Sequence, residues 1–223
     1  MSASHSYLLS TIGRKYMMAL TAIVWSLFVF VHMAGNMFIF AGAQAYNEYS
    51  YKLTSNPFIY LIEIFLLLFV LVHAITGISL KLRNLKSKPK YYNVQPTKNK
   101  NSTITSRTMI YTGFIILAFL IWHLATFKFG PNYSVVYSGI QMRNIYQLIL
   151  EKFHDPIYMV TYCFIMVFVG MHLKHGVSSI FQTLGYNHPR YNLFFKFFGH
   201  LYATVVTLGF ISQPIYVYFF SQR

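Results

Sequence analysis

Five long apolar runs separated by polar connections set the pattern of this chain: near Tyr16–Phe40, Phe58–Leu82, Thr108–Phe129, Ile157–Gln182 and Phe198–Phe220. A helix rises 1.5 Å per residue, so about 20 apolar residues cross roughly 30 Å of hydrocarbon. The pattern therefore predicts an all-α integral membrane protein, a single membrane domain over 1–223 with five transmembrane helices in one bundle. Pro57 and Pro156 stand where the second and fourth spans begin, a position at which a missing N–H costs nothing. Pro189 punctuates the connection before the fifth span, and Pro214 falls late inside it, where a kink is expected.

Composition agrees with lipid as the solvent. Hydrophobic residues make up 56% of the chain and charged residues 10%, against about 25% charged in soluble domains. The net charge of +14 raises the question of nucleic acid. The basic residues gather between the apolar runs, however, where anionic lipid head groups and an acidic partner surface would lie, so membrane lipid is expected and nucleic acid is not. The loop 83–107, flanked by Lys81, is the one plainly hydrophilic connection; it is rich in Lys and Arg and has no acid. The positive-inside rule makes it cytoplasmic, which puts the N-terminus inside and the C-terminus outside, with Glu48, Glu151 and Asp155 on the outer side. The first run ends near Ala41-Gly42-Ala43, which resembles a leader cleavage site. Its length exceeds that of a leader's apolar region and it carries His32 and Asn36, so it reads as a retained span. Cys163 is the single cysteine, so there is neither a disulfide nor a CxxCH haem attachment, and any haem must be held without covalent bonds.

Nine histidines occur, and four lie deep within four different spans: His32, His73, His123 and His172. One such imidazole is as readily a cross-helix hydrogen-bond partner as a ligand. Four together, sorted by depth, point further. His32 and His123 lie eight and six residues before the outer ends of the first and third spans, about 9–12 Å below the outer surface. His73 and His172 lie nine and ten residues before the inner ends of the second and fourth, about 14–15 Å above the inner surface. Two pairs at two depths suit two bis-histidine b haems stacked across a membrane. A glycine follows each of His73 and His172 by four residues (Gly77 and Gly176), and Gly35 follows His32; small residues there leave room for a flat macrocycle, though close helix packing uses the same spacing. His175 also precedes Gly176 and is the competing ligand on the fourth span. The spacing to Gly176 favours His172 and leaves His175 to face a propionate or a partner. His5, His154, His188 and His200 lie in loops or at helix ends.

Four segments together resemble the five-helix, di-haem cytochrome b subunit of bacterial succinate dehydrogenases and fumarate reductases. They are Ser10-Thr11-Ile12-Gly13-Arg14-Lys15 leading to Met18-Ala19-Leu20-Thr21; His32-Met33-Ala34-Gly35-Asn36; the stretch from His123 to Gly130; and that from His172 to Gly185. The resemblance covers nearly the whole chain and is most specific in the last segment. It implies a flavoprotein subunit and an iron–sulfur subunit on the cytoplasmic side, a bacterial cytoplasmic membrane location, and a quinone, menaquinone, as redox substrate. The dicarboxylate chemistry belongs to the partners, since this chain has no cysteine set for an iron–sulfur cluster and no Gly-rich dinucleotide fingerprint.

Quinone chemistry moves protons with electrons, and Glu63 is the candidate proton group: it is the only acid within a span, about 9 Å from the outer surface at the level of the outer haem. The alternative is an ion pair with an interfacial Lys or Tyr. Arg14, Lys15 and Lys81 are placed to meet propionates, or to serve only as positive-inside anchors. Two rival functions stay open on the sequence: a cytochrome b anchor of a hydrogenase or formate dehydrogenase, and a haem-free transporter whose histidines carry protons.

Overall fold

The computed structural model describes residues 10–86, 104–186 and 188–221, with the side chains of 104–107 left out. His5 and most of the expected cytoplasmic loop, including Lys88, Lys90, Lys98 and Lys100, lie outside the described residues.

Seven α-helices are described: α1 (Thr11–Asn36), α2 (Ala43–Thr54), α3 (Phe58–Lys86), α4 (Ile104–His123), α5 (Ile145–Phe153), α6 (Pro156–Thr183) and α7 (Pro189–Phe220). Five of them, α1, α3, α4, α6 and α7, are long and apolar enough to cross a membrane. Three of these starts have a side-chain cap. Ser10 caps α1 by accepting from the Gly13 N–H at 3.0 Å. Asp155 caps α6 through the Ile157 and Tyr158 N–H groups, with Pro156 in the first turn. His188 caps α7, again with a proline, Pro189, in the first turn. That cap corrects the expected boundary of the fifth span: Pro189 opens the helix, which starts nine residues before Phe198. Pro214 lies inside α7 without ending it.

At one end of the bundle sits a cap that the apolar pattern does not reveal. A 3₁₀ turn (Met37–Ala41) leads through Gly42, at φ 96°, into α2. A hairpin of β1 (Ser134–Tyr137) and β2 (Ile140–Arg143) turns at Ser138 and Gly139, both at positive φ, as a two-residue hairpin loop requires. Asn47 of α2 is fully buried; it donates to Asn144 Oδ1 (2.9 Å) and accepts from the Tyr146 N–H (3.0 Å), which joins α2 to the start of α5. The opposite end carries Arg14, Lys15, Lys81, Arg83 and Lys86 and is called the basic end.

α6 and α7 pack most extensively, with α1 against both and against α3, and α4 against α6. Gly170 faces Thr207 and Gly199 faces Ser178 so closely that a methyl group at either glycine would collide. Two buried clusters fill the bundle. Ile39, Tyr46, Ile149, Phe153, Tyr162, Met166 and Val217 lie toward the cap, and Met33, Leu173, Ala203 and Val206 lie between α1, α6 and α7. The outer surface is apolar as well: α3 has one buried residue, Thr76, while Leu61, Ile64, Phe65, Leu68 and Leu71 are exposed. Such a surface suits hydrocarbon and not water.

Candidate functional site

The histidines that the depth count assigns to the same level stand side by side. His32 on α1 and His123 on α4 have ring centres 5.9 Å apart with planes at 88°. His73 on α3 and His172 on α6 have ring centres 6.2 Å apart with planes at 62°. The first pair is nearer the cap and the second nearer the basic end. A metal held between two imidazoles by bonds of about 2 Å, with about 1.2 Å from nitrogen to ring centre, separates the ring centres by roughly 6.3 Å. Both pairs stand close to that separation.

Near the basic end each imidazole is oriented by a threonine on a neighbouring helix. Thr21 Oγ1 of α1 lies 3.0 Å from His73 Nδ1 and donates to the Met17 and Met18 carbonyls at 2.9 and 3.0 Å. Thr112 Oγ1 of α4 lies 3.0 Å from His172 Nδ1 and donates to the carbonyls of Thr108 (3.3 Å) and Met109 (3.0 Å). A hydroxyl has one proton. Spent on a carbonyl, it leaves the oxygen to accept from Nδ1–H, the tautomer in which Nε2 keeps a lone pair. Both threonines are buried.

Near the cap the partners differ. His123 Nδ1 is 2.7 Å from the Tyr162 hydroxyl of α6. His32 stacks on Phe28, at 5.3 Å and 15°. Its backbone carbonyl accepts from Asn36 Nδ2 (2.8 Å), and Asn36 in turn accepts from the Tyr46 hydroxyl (2.6 Å). Burial, then the neighbouring Tyr49, push the Tyr46 phenol well above its ordinary range, so it keeps its proton and stays a donor to Asn36. α4 gives way just beyond His123 to a wider π turn, Leu124–Lys128, closed by Phe129 N–H to the Leu124 carbonyl at 3.0 Å. Such turns are frequent at functional sites. Arg143 of β2 braces this region by donating to the Lys128, Gly130 and Pro131 carbonyls.

The glycines divide. Gly176, one turn beyond His172, borders open space, whereas Gly77 is faced by the Met18 methyl group and Gly35 by the Tyr49 ring. At Gly35 the close-packing alternative holds, whereas the contact at Gly77 is the far end of the flexible Met18 side chain. Glu63 forms the ion pair with an interfacial lysine that the sequence left open: its partner is Lys128, and its side chain is 39% exposed. Arg14 hydrogen-bonds Ser79 and ties α1 to α3 at the basic end. Lys15 is exposed and Lys81 half-buried at that same end, and His175 is half-buried on α6.

Among the described residues no three His, Cys, Asp or Glu side chains gather around one point. A metal held here by protein alone would have two ligands. Each pair supplies two imidazoles, the donor set that haem iron takes, and Gly176 leaves open space one turn from His172. Thr21, Thr112, Tyr162, Asn36 and Lys128 were not singled out as site residues from the sequence. A signal for the threonines was available, because each precedes a histidine of its own helix by eleven residues, or about three turns. Comparison of the chain with protein-family models, with curated proteins and with solved structures finds no match.

Proposed function

We propose that this five-span protein is the cytochrome b membrane anchor of a succinate:quinone oxidoreductase, carrying electrons between an iron–sulfur partner and membrane menaquinone. The observation that supports this most is the assembly of four imidazoles from four spans into two pairs, 5.9 and 6.2 Å between ring centres, at two levels of the bundle. A proton-carrying chain has no need of two facing pairs at that separation.

Haem b, when bound, supplies a one-electron carrier at each level. His73 and His172 would hold the group nearer the basic end, and His32 and His123 the group nearer the cap. Thr21, Thr112 and Tyr162 hold the histidine rings in orientation. Arg14, Lys15, Lys81 and His175 lie toward the basic end and would supply cations or donors to propionates of the nearer group. That end faces the cytoplasm in this reading, and its positive charge suits both anionic lipid and the soluble flavoprotein and iron–sulfur subunits. Menaquinone reacts near the cap, where Glu63 takes up or releases protons and Lys128 holds its carboxylate in place.

The reading is tested by co-expressing the chain with candidate flavoprotein and iron–sulfur partners, purifying the complex in detergent, and measuring succinate-dependent reduction of a menaquinone analogue. Co-purification with quinone-linked turnover is expected. Co-purification with a hydrogenase or a formate dehydrogenase instead would overturn it.

A further inference from the structure

The two levels of the bundle share helices in a way that the two histidine pairs alone do not show. Thr21 and His32 stand eleven residues apart on α1, and Thr112 and His123 stand eleven residues apart on α4. Eleven residues are almost exactly three turns, so on each helix the threonine and the histidine share one face, roughly 16 Å apart along the axis. Each of these helices thus carries a histidine of the pair near the cap and, three turns away, the acceptor for a histidine of the other pair.

We infer that Thr21 and Thr112 are positioning residues for the basic-end centre, fixing which nitrogen of His73 and His172 is free to ligate and setting the rotation of both rings. The inference rests on the haem reading of the site. Each hydroxyl has carbonyls of its own helix within reach of its proton, at 2.9 and 3.0 Å for Thr21 and at 3.3 and 3.0 Å for Thr112. With its proton on a carbonyl, the oxygen accepts from Nδ1–H at 3.0 Å. The free Nε2 is then fixed by geometry, and the ring cannot turn about its Cβ–Cγ bond without breaking the bond to threonine. An imidazole whose Nδ1–H is accepted is a more electron-rich ligand, which favours the ferric state of the metal it holds. Because α1 and α4 supply both acceptors, a shift of either helix is felt at both levels. The pair near the cap has a tyrosine where this pair has threonines, so threonine substitutions act on one centre and spare the other.

The test uses the purified full-length chain with Thr21→Val and Thr112→Val, and with serine at the same positions. Valine keeps the shape and removes the acceptor; serine keeps the acceptor. The readouts are haem content, a redox titration that resolves the two centres, and the low-temperature electron paramagnetic resonance signal, which follows the angle between axial rings. Each valine variant is expected to lower haem affinity at the basic-end centre by 10–100-fold, as loss of such a partner does. Where haem stays bound, its ferric-to-ferrous ratio at fixed potential should fall by up to tenfold, a rise of up to about 59 mV. The centre near the cap should keep its content and signal, which also reports that the chain is folded, and the serine variants should resemble the unaltered chain. Unchanged affinity, potential and signal at the basic-end centre in both valine variants would overturn the inference, as would equal changes at both centres. If a valine variant fails to assemble, its serine variant decides: both centres kept supports the role, and loss of the basic-end centre refutes it. An unaltered chain without haem removes the underlying reading, a result distinct from two haems that ignore the threonines.

Discussion

Replacing Tyr162 with Phe removes one oxygen atom from the centre of the bundle and little else. The ring packs against Phe119, Phe153 and Tyr158 and is itself buried, so Phe fills the same space. What is lost is the 2.7 Å hydrogen bond to His123 Nδ1. Leaving a buried imidazole N–H without an acceptor costs about 1–3 kcal/mol. In the haem reading His123 ligates through Nε2 and its Nδ1–H donates to the tyrosine oxygen, which makes the imidazole a stronger electron donor and favours the ferric state. Only part of the bond energy differs between the two oxidation states. If about 0.5–1 kcal/mol does, the potential of the centre near the cap rises by roughly 20–45 mV, since tenfold in a one-electron equilibrium is 59 mV. Redox titration of the purified chain, followed in the haem α band, measures this directly. The basic-end centre, held by Thr21 and Thr112, should not move. A Tyr162→Phe protein with both potentials within about 5 mV of the unaltered values would refute the argument that this hydroxyl tunes its neighbour.

The Glu63–Lys128 pair is expected to behave as a unit. Glu63→Gln should lower quinone-linked turnover and leave haem content intact, whereas Lys128→Met should weaken turnover by leaving the carboxylate without its partner; full turnover in the Glu63→Gln protein removes Glu63 from the mechanism. Asn47→Ala breaks two buried hydrogen bonds between α2 and the start of α5, with a cost of about 1–3 kcal/mol. Limited proteolysis should then cut the cap faster while the spans stay protected, and an unchanged cutting rate would show that the cap is held by other contacts.

The spans were legible because lipid imposes a long apolar run, and the histidine pairs because depth can be counted from the ends of such runs. Pairing by depth needs no knowledge of side-chain contacts, which is why His32 meets His123 and His73 meets His172 in the structure as the counting suggests. The cap escaped notice because its elements are short and only half apolar, although Ser138-Gly139 between Ser134–Tyr137 and Ile140–Arg143 carried a turn signal. Lys128 escaped for a different reason. It ends a π turn, so its direction cannot be read from a wheel of 3.6 residues per turn, although an ion pair between Glu63 and some interfacial lysine was open on the sequence. The threonines were hidden by their ordinariness: a threonine in a membrane helix usually bonds its own backbone, and Thr21 and Thr112 do that while also serving an imidazole.

The central claim is that the two histidine pairs hold haem. It is tested most directly by a dithionite-reduced minus oxidised spectrum with pyridine haemochrome quantitation, on the purified chain and on variants of His32, His73, His123 and His172. The account predicts two b-type haems per chain, with His73 and His172 variants losing or altering the same one and His32 and His123 variants the other. A chain purified from a haem-replete membrane without haem absorbance, or variants whose effects do not sort into those two pairs, would contradict it.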